Sequence, residues 1–130
     1  MFLLKFDIAS TKKFTVLDVC DFVSVNFYAR LIRGMGLNCI ELVYSENLWE
    51  IATQHLPDII LLEQFVPSHL NICSQLKTNE KTKDIPVIVI TTCKEEIPES
   101  IALKAGVDAY LVAPVRVDKF KETIESFLMN

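Results

Sequence analysis

Glycine is scarce, with three in 130 residues. No GxGxxG run occurs, nor GxxxxGK followed by Ser or Thr, so a backbone loop that cradles nucleotide phosphates is unsupported. Basic charge is also short. Thirteen Lys and Arg against 17 Asp and Glu give a net charge of −4 and a pI near 5.1, which argues against a dedicated nucleic-acid binder with its basic face. No apolar run reaches the ~18–20 residues needed to span a bilayer. Cys20, Cys39, Cys73 and Cys93 form no CxxC pair and no Cys/His cluster, so zinc and disulfide frameworks fit poorly. What is present is a folding composition: 51% hydrophobic and 23% charged residues exclude intrinsic disorder. The length suits one hydrophobic core. A single soluble, cytoplasmic domain without membrane or nucleic-acid partners is expected.

The chain divides into residues 1–12 and residues 13–130. Met1 to Ile8 alternates Phe2, Leu4, Phe6 and Ile8 with Lys5 and Asp7 between. That is strand periodicity rather than a signal peptide, so residues 1–12 read as an extension with a possible extra strand.

From Phe14 onward, short apolar runs alternate with helical patterns. Phe14 to Val19 reads as a strand, and Asp21 as the N-cap of a helix to about Met35, with Gly36 just past its end. Cys39 to Val43 is a second strand, and Ser45 can cap a short helix burying Leu48, Ile51 and Ala52. Ile59 to Leu62 and Val87 to Ile90 are continuous runs typical of strands buried on both faces. Between them Pro67 and Ser68 precede a helix with Ile72, Cys73 and Leu76 inward. Pro98 opens a fourth helix that ends at Gly106, and Ala109 to Val112 is a short fifth strand. Phe120, Ile124, Phe127 and Leu128 mark the inner face of the last helix. Five β–α units imply an α/β, doubly wound, five-stranded parallel sheet of order 2-1-3-4-5 with helices on both faces. Chemistry in such folds sits at the carboxyl ends of strands one, three and four. Cys20 and Cys93 fall there but two strand spacings apart, about 9–10 Å, beyond the ~7 Å Cα limit for a disulfide.

The blocks PDIILLEQFVP, KDIPVIVITT and AGVDAYLVAPV, in that order and at these separations, resemble the flavodoxin-like receiver domains of two-component response regulators. The resemblance covers roughly Lys13 to Leu128. It implies a phosphoacceptor aspartate after strand three and Mg²⁺ held by an acidic pair after strand one. It also implies a lysine after strand five, with a Ser or Thr and an aromatic as switch groups. This chain departs from that pattern. Glu63 stands at the phosphoacceptor position and Ala113 at the lysine position. Counting back from Gly36 without a gap places Val19 and Cys20 at the acidic pair. A one-residue shift recruits Asp18, and Asp21 lies just beyond. Thr91 and Tyr110 remain at the switch positions.

Mg²⁺ takes near-octahedral oxygen ligands, usually with one or two carboxylates, and Val19 and Cys20 supply none. The extra methylene of Glu63 shifts a nucleophile on the order of 1 Å, enough to cost about 100-fold in rate. Ala113 removes a cation that would offset charge on the phosphoryl oxygens. Two readings of Glu63 stand: a built-in mimic of a phosphorylated aspartate, or a drifted site. Thr91 and Tyr110 read either as a live switch pair or as ordinary packing. His55 and His69 read as isolated surface residues, and Trp49 as either a contact residue or one half-covered by a loop. The expected function is an atypical receiver acting as a phosphorylation-independent protein-interaction module, not an enzyme, with no cofactor. The alternative is a receiver still regulated by phosphate or by a small ligand at the carboxyl edge. No output domain is expected after Asn130, so a signal would leave through contacts with a signalling partner or a second copy. Tyr110, Arg116 and Lys119, with Ile101, Lys104 and Val117 near them, are the expected contact surface.

Overall fold

The computed structural model describes residues 13–21, 26–45 and 47–129. The expected strand within residues 1–12 lies outside them. Five strands, β1 (Thr15–Cys20), β2 (Asn38–Val43), β3 (Ile59–Leu62), β4 (Val87–Thr91) and β5 (Ala109–Val112), form one sheet. Every pairing is parallel and the order is β2-β1-β3-β4-β5. Every residue of β3 and β4 is buried. That is why these two runs are apolar throughout: each side chain, up or down, meets a helix layer.

The helices are α1 (Phe27–Gly34), α2 (Leu48–His55), α3 (Leu70–Thr78, preceded by a 3₁₀ turn at Pro67–His69), α4 (Glu99–Lys104) and α5 (Val117–Leu128). One core layer joins Leu48 and Ala52 of α2, Cys73 and Leu76 of α3 and Ala102 of α4 to Leu17, Ile60 and Val89 of the sheet. The other joins Ile32 of α1 and Phe120, Ile124 and Leu128 of α5 to Val16, Leu61 and Ile88.

Two expected helix starts differ. Asp21 does not cap α1, because Asn26 does: its side chain accepts from the Ala29 N–H at 3.0 Å. Asn47 rather than Ser45 holds the N-cap position of α2, and the Ser45 hydroxyl bonds the Asn47 side chain at 2.9 Å instead. Both residues that lost the role lie in loops just upstream, where a polar side chain looks like a cap in sequence but the chain has not yet turned.

The α3–β4 connection is anchored by a half-buried cation. Lys77 Nζ donates to the Ile85 carbonyl at 2.9 Å and to Asp108 Oδ2 at 2.7 Å. The same Asp108 oxygen accepts from the Val87 N–H at 2.8 Å. Gly106 passes over this lysine with φ +101°, and a Cβ there would sit 2.6 Å from Lys77 Cγ. Gly106→Ala is therefore expected to destabilise the fold by about 1–3 kcal/mol, from left-handed backbone strain and displacement of the lysine. Urea unfolding checks this, and an unchanged midpoint would contradict it.

Candidate functional site

The carboxyl ends of β1 and β3 bring two acids together. Val19 pairs with Leu62 in register, and the Glu63 N–H donates to the Val19 carbonyl at 2.8 Å. Side chains alternate along a strand, so Asp18 and Cys20 share one face while Val19 points into the opposite layer beside Leu17 and Leu48. The ungapped count that put Val19 in the pocket is thus corrected. Asp18 occupies it, with Cys20 at its rim.

Asp18 is fully buried and Glu63 is 4% exposed. The two carboxyl groups are in hydrogen-bond contact. Asn26 Nδ2 donates to Asp18 Oδ2 at 2.7 Å and lies 3.8 Å from the Cys20 sulfur. One asparagine therefore caps α1 with its oxygen and satisfies a buried acid with its nitrogen. Asp18 Oδ1 and Glu63 Oε2 meet no N–H or O–H donor. A proton held between the carboxyls removes both deficits. Burial is the main cause that pushes Glu63 up to about 9, followed by its hydrogen bond to Asp18 and the Asp18 charge. Burial also raises Asp18, but the hydrogen bonds from Glu63 and Asn26 oppose that rise. Burial and mutual contact thus favour a single proton shared by the pair over two adjacent charges.

Around this pair the backbone is held from three sides. Gln64 takes φ +47°, and its side-chain oxygen accepts from the Asp21 N–H at 2.9 Å. Asp21 itself is exposed. Tyr44, just after β2, donates its hydroxyl to the Glu63 carbonyl. Its ring stacks on His69 at 3.8 Å between centroids and 6° between planes. The Val66 N–H donates to His69 Nδ1 at 3.3 Å, which fixes a neutral ring with its proton on Nε2. Burial favours the same form by lowering the His69 pKa. His69 is thus not an isolated surface residue, whereas His55 is exposed. Packing of Tyr44, just after β2, against the β3–α3 connection creates the stack, and residue spacing carries no sign of it.

At the end of β4, the buried Thr91 hydroxyl donates to the Phe65 carbonyl at 2.7 Å and accepts from the Cys93 N–H at 2.9 Å. Tyr110 is half-buried on the edge strand β5, and its hydroxyl donates to the Ile97 carbonyl at 2.8 Å. Ala113 follows β5 and donates its N–H to the Thr91 carbonyl at 2.8 Å. All four cysteines are free thiols. Sequence reasoning missed Asn26, Tyr44 and His69. Asn26 was findable as an asparagine immediately ahead of an amphipathic run.

No protein-family model matches the chain. The chain is 31% identical over 108 residues to the polar-differentiation response regulator DivK of Brucella ovis, covering 82% of this chain and 88% of that protein. A putative response regulator from Chloroflexus aurantiacus superposes with a TM-score of 0.81 at 20% identity, covering 92% of this chain and all of that one. The receiver domain of sensor histidine kinase PA1611 from Pseudomonas aeruginosa superposes with a TM-score of 0.70 at 16% identity, covering 92% of this chain and all of that one, and it carries a magnesium ion in its active-site cleft.

Mg²⁺ requires oxygen ligands in octahedral array at about 2.0–2.1 Å. Asp18 Oδ2 accepts from the Asn26 amide, and the Phe65 carbonyl from the Thr91 hydroxyl. Among the described residues no three His, Cys, Asp or Glu side chains are grouped to hold a metal.

Two outcomes follow from the acid pair. Glu63 titrates from 4.5 when unfolded to about 9 when folded, so the unfolded state loses its proton first as pH rises. Its contribution to stability is complete below pH ~4.5 and declines until about pH 9. Glu63→Gln, which keeps the hydrogen-bond donor without ionising, is expected to flatten this decline when urea midpoints are compared from pH 5 to 9. Asn26→Ala removes a helix cap and the donor to a buried carboxylate, and is expected to cost about 2–4 kcal/mol in the same measurement.

Proposed function

Since this chain belongs to the response regulator receiver family, whose domains serve two-component signalling, we propose that it is a receiver whose output does not depend on phosphorylation. The observation that carries this reading is the Asp18–Glu63 pair. A buried Glu63 that shares a proton with Asp18 is neither a nucleophile nor a carboxylate resembling a phosphorylated aspartate. The mimic reading of Glu63 is therefore set aside in favour of a proton-closed pocket. Ala113 supplies no cation for phosphoryl oxygens, and the donor set is unsuited to Mg²⁺. The domain in this reading binds no cofactor and catalyses no reaction.

Thr91 and Tyr110 both spend their hydroxyls on backbone carbonyls. A switch group in this state moves only if a ligand prefers another arrangement, and the closed pocket offers no such ligand a seat. The signal then leaves through a surface held in one conformation. The face built from α4, β5 and α5 supports that role. Ile101, Leu103, Val112 and Val117 are exposed large apolar side chains on it, a concentration that marks interaction sites. Tyr110 and Lys119 line one groove of about 330 Å³. Arg116 is paired with Asp118 at 2.8 Å, so this rim presents an ion pair rather than a bare cation. The partner is a signalling protein or a second copy of the chain, met in the cytoplasm. No helix among the described residues is long and apolar enough to cross a membrane.

Incubation with Mg²⁺ and acetyl phosphate is expected to leave the intact mass unchanged, with no metal site tighter than millimolar by calorimetry. A near-stoichiometric phosphoryl adduct on Glu63 or Asp18 would overturn the proposal. Arg116→Glu combined with Val112→Asp is expected to weaken partner capture or self-association at least tenfold. Sedimentation and pull-down read this out, and unaltered association would place the output surface elsewhere.

A further inference from the structure

The outer edge of β2 is open. Thr15 to Cys20 of β1 pair with Asn38 to Val43, and among the described residues no strand stands on the other side of β2. The Asn38 N–H donates to the Phe14 carbonyl at 2.9 Å and the Tyr44 N–H to the Cys20 carbonyl at 3.1 Å. Backbone direction alternates along a strand, so Cys39, Glu41 and Val43 turn their N–H and C=O groups outward. Arg33 Nη2 donates to the Cys39 carbonyl at 3.0 Å, which leaves that oxygen a second lone pair. Cys39, Ile40, Leu42 and Val43 make β2 largely apolar, yet none of its residues is buried. An apolar edge of this kind invites pairing, and folded proteins close it.

The chain carries a segment that matches this edge. Residues 2–8 alternate Phe2, Leu4, Phe6 and Ile8 with Leu3, Lys5 and Asp7. Ile40 and Leu42 pack into the core layer of α2 and α3, and Cys39 into the opposite layer, with Glu41 and Val43 on its face. Laid antiparallel with Lys5 opposite Glu41, the segment puts Phe6 beside Ile40 and Leu4 beside Leu42. On the other face it puts Leu3 beside Val43 and Asp7 beside Cys39, close to Arg33, which bonds Glu41 Oε2 at 2.8 Å. Opposite charges meet and apolar side chains meet, the pairs that stabilise an antiparallel ladder. A slip of one residue would set Leu4 or Phe6 against Glu41. A slip of two would set Leu3 or the like-charged Asp7 against it.

The connection is also long enough. In this register Ile8 stands beside Asn38, which is level with Thr15. From there to the foot of β1 is two strand spacings, about 9–10 Å, and the stretch from residue 8 to Lys13 extends to about 17 Å. A groove of about 500 Å³ lies here, with Lys13, Arg33, Asn38, Cys39 and Ile40 in its lining, so it leads from Lys13 to the edge of β2. We propose that residues 3–7 add a sixth strand, antiparallel to β2 on its open edge, with Lys5 opposite Glu41. The same chain is favoured over a second copy. Its own segment is tethered beside the edge, whereas two β2 edges paired about a twofold axis at residue 41 would oppose Glu41 to Glu41. The added strand closes the β2 side of the sheet to pairing with other chains. It depends neither on the state of Glu63 nor on the role of the α4–β5–α5 face.

Cys39 supplies the test. In a hydrogen-bonded antiparallel pair the Cα atoms stand about 5.5 Å apart, within the range that a disulfide spans. Asp7→Cys in the full chain therefore sets a second thiol opposite Cys39. Oxidation of dilute protein with diamide is expected to bridge position 7 to Cys39 within one chain, read by unreduced intact mass and peptide mapping. Phe6→Cys, whose side chain faces the other way, is expected to bridge at least tenfold more slowly. In the unsubstituted chain the Glu41 and Val43 amides are expected to be protected from hydrogen exchange. Leu4→Asp combined with Phe6→Asp is expected to speed their exchange at least tenfold and to leave the buried Ile60 unchanged. No bridge in Asp7→Cys, equal bridging in the two variants, a bridge to another cysteine, or one formed only between two chains would overturn the proposal. Glu41 and Val43 amides that exchange as fast as open chain would overturn it equally.

Discussion

The parallel pairing of β1 with β3 governs the rest of the molecule. Its register puts the Glu63 N–H on the Val19 carbonyl at 2.8 Å and so fixes which β1 side chain stands beside Glu63. A slip of one residue would turn Asp18 into the opposite core layer and bring Val19 to the pocket. As built, the pairing sets two carboxyl groups side by side away from water. Two buried like charges in contact are unfavourable, and the least costly solution is one proton between them. Asn26 then completes the arrangement by donating to Asp18, which ties the start of α1 to the end of β1.

The groups around the acid pair are tied to one another. Tyr44 bonds the Glu63 carbonyl and stacks on His69, so the loop after β3 is gripped from β2. Thr91 bonds the Phe65 carbonyl in that same loop, so it is gripped from β4 as well. A pocket that receives a phosphoryl group needs room and an unpaired nucleophile at this edge. Here the chain's own hydrogen bonds run along that edge, among them the Thr91 hydroxyl to the Phe65 carbonyl and the Tyr44 hydroxyl to the Glu63 carbonyl.

Two surfaces of different character follow from the same scaffold. The α4–β5–α5 face exposes aliphatic side chains with an ion pair at its rim. The α2–α3 side bears the Asn71 and Gln75 amides and the rings of Trp49 and Tyr44. The first sits at the β5 edge and draws on both helix layers, α4 on one and α5 on the other, whereas α2 and α3 share the α4 layer.

The sheet, its order and its two central strands were legible in the amino-acid sequence, because unbroken apolar runs such as Ile59–Leu62 and Val87–Ile90 satisfy only a doubly covered position. Gly36 and Gly106 were legible as helix ends for a similarly local reason, since both take positive φ. The absence of the lysine and of the phosphoacceptor aspartate could also be read directly, because each is a single position beside a recognisable strand. Whether Val19 or Asp18 faces the pocket could not be read, because that parity depends on register with a strand more than 40 residues away. The double bond of Asn26 and the Tyr44–His69 stack were likewise decided only on folding. Each joins segments that sequence spacing leaves unrelated, and the Glu63 pKa is raised only because burial and Asp18 act on it together.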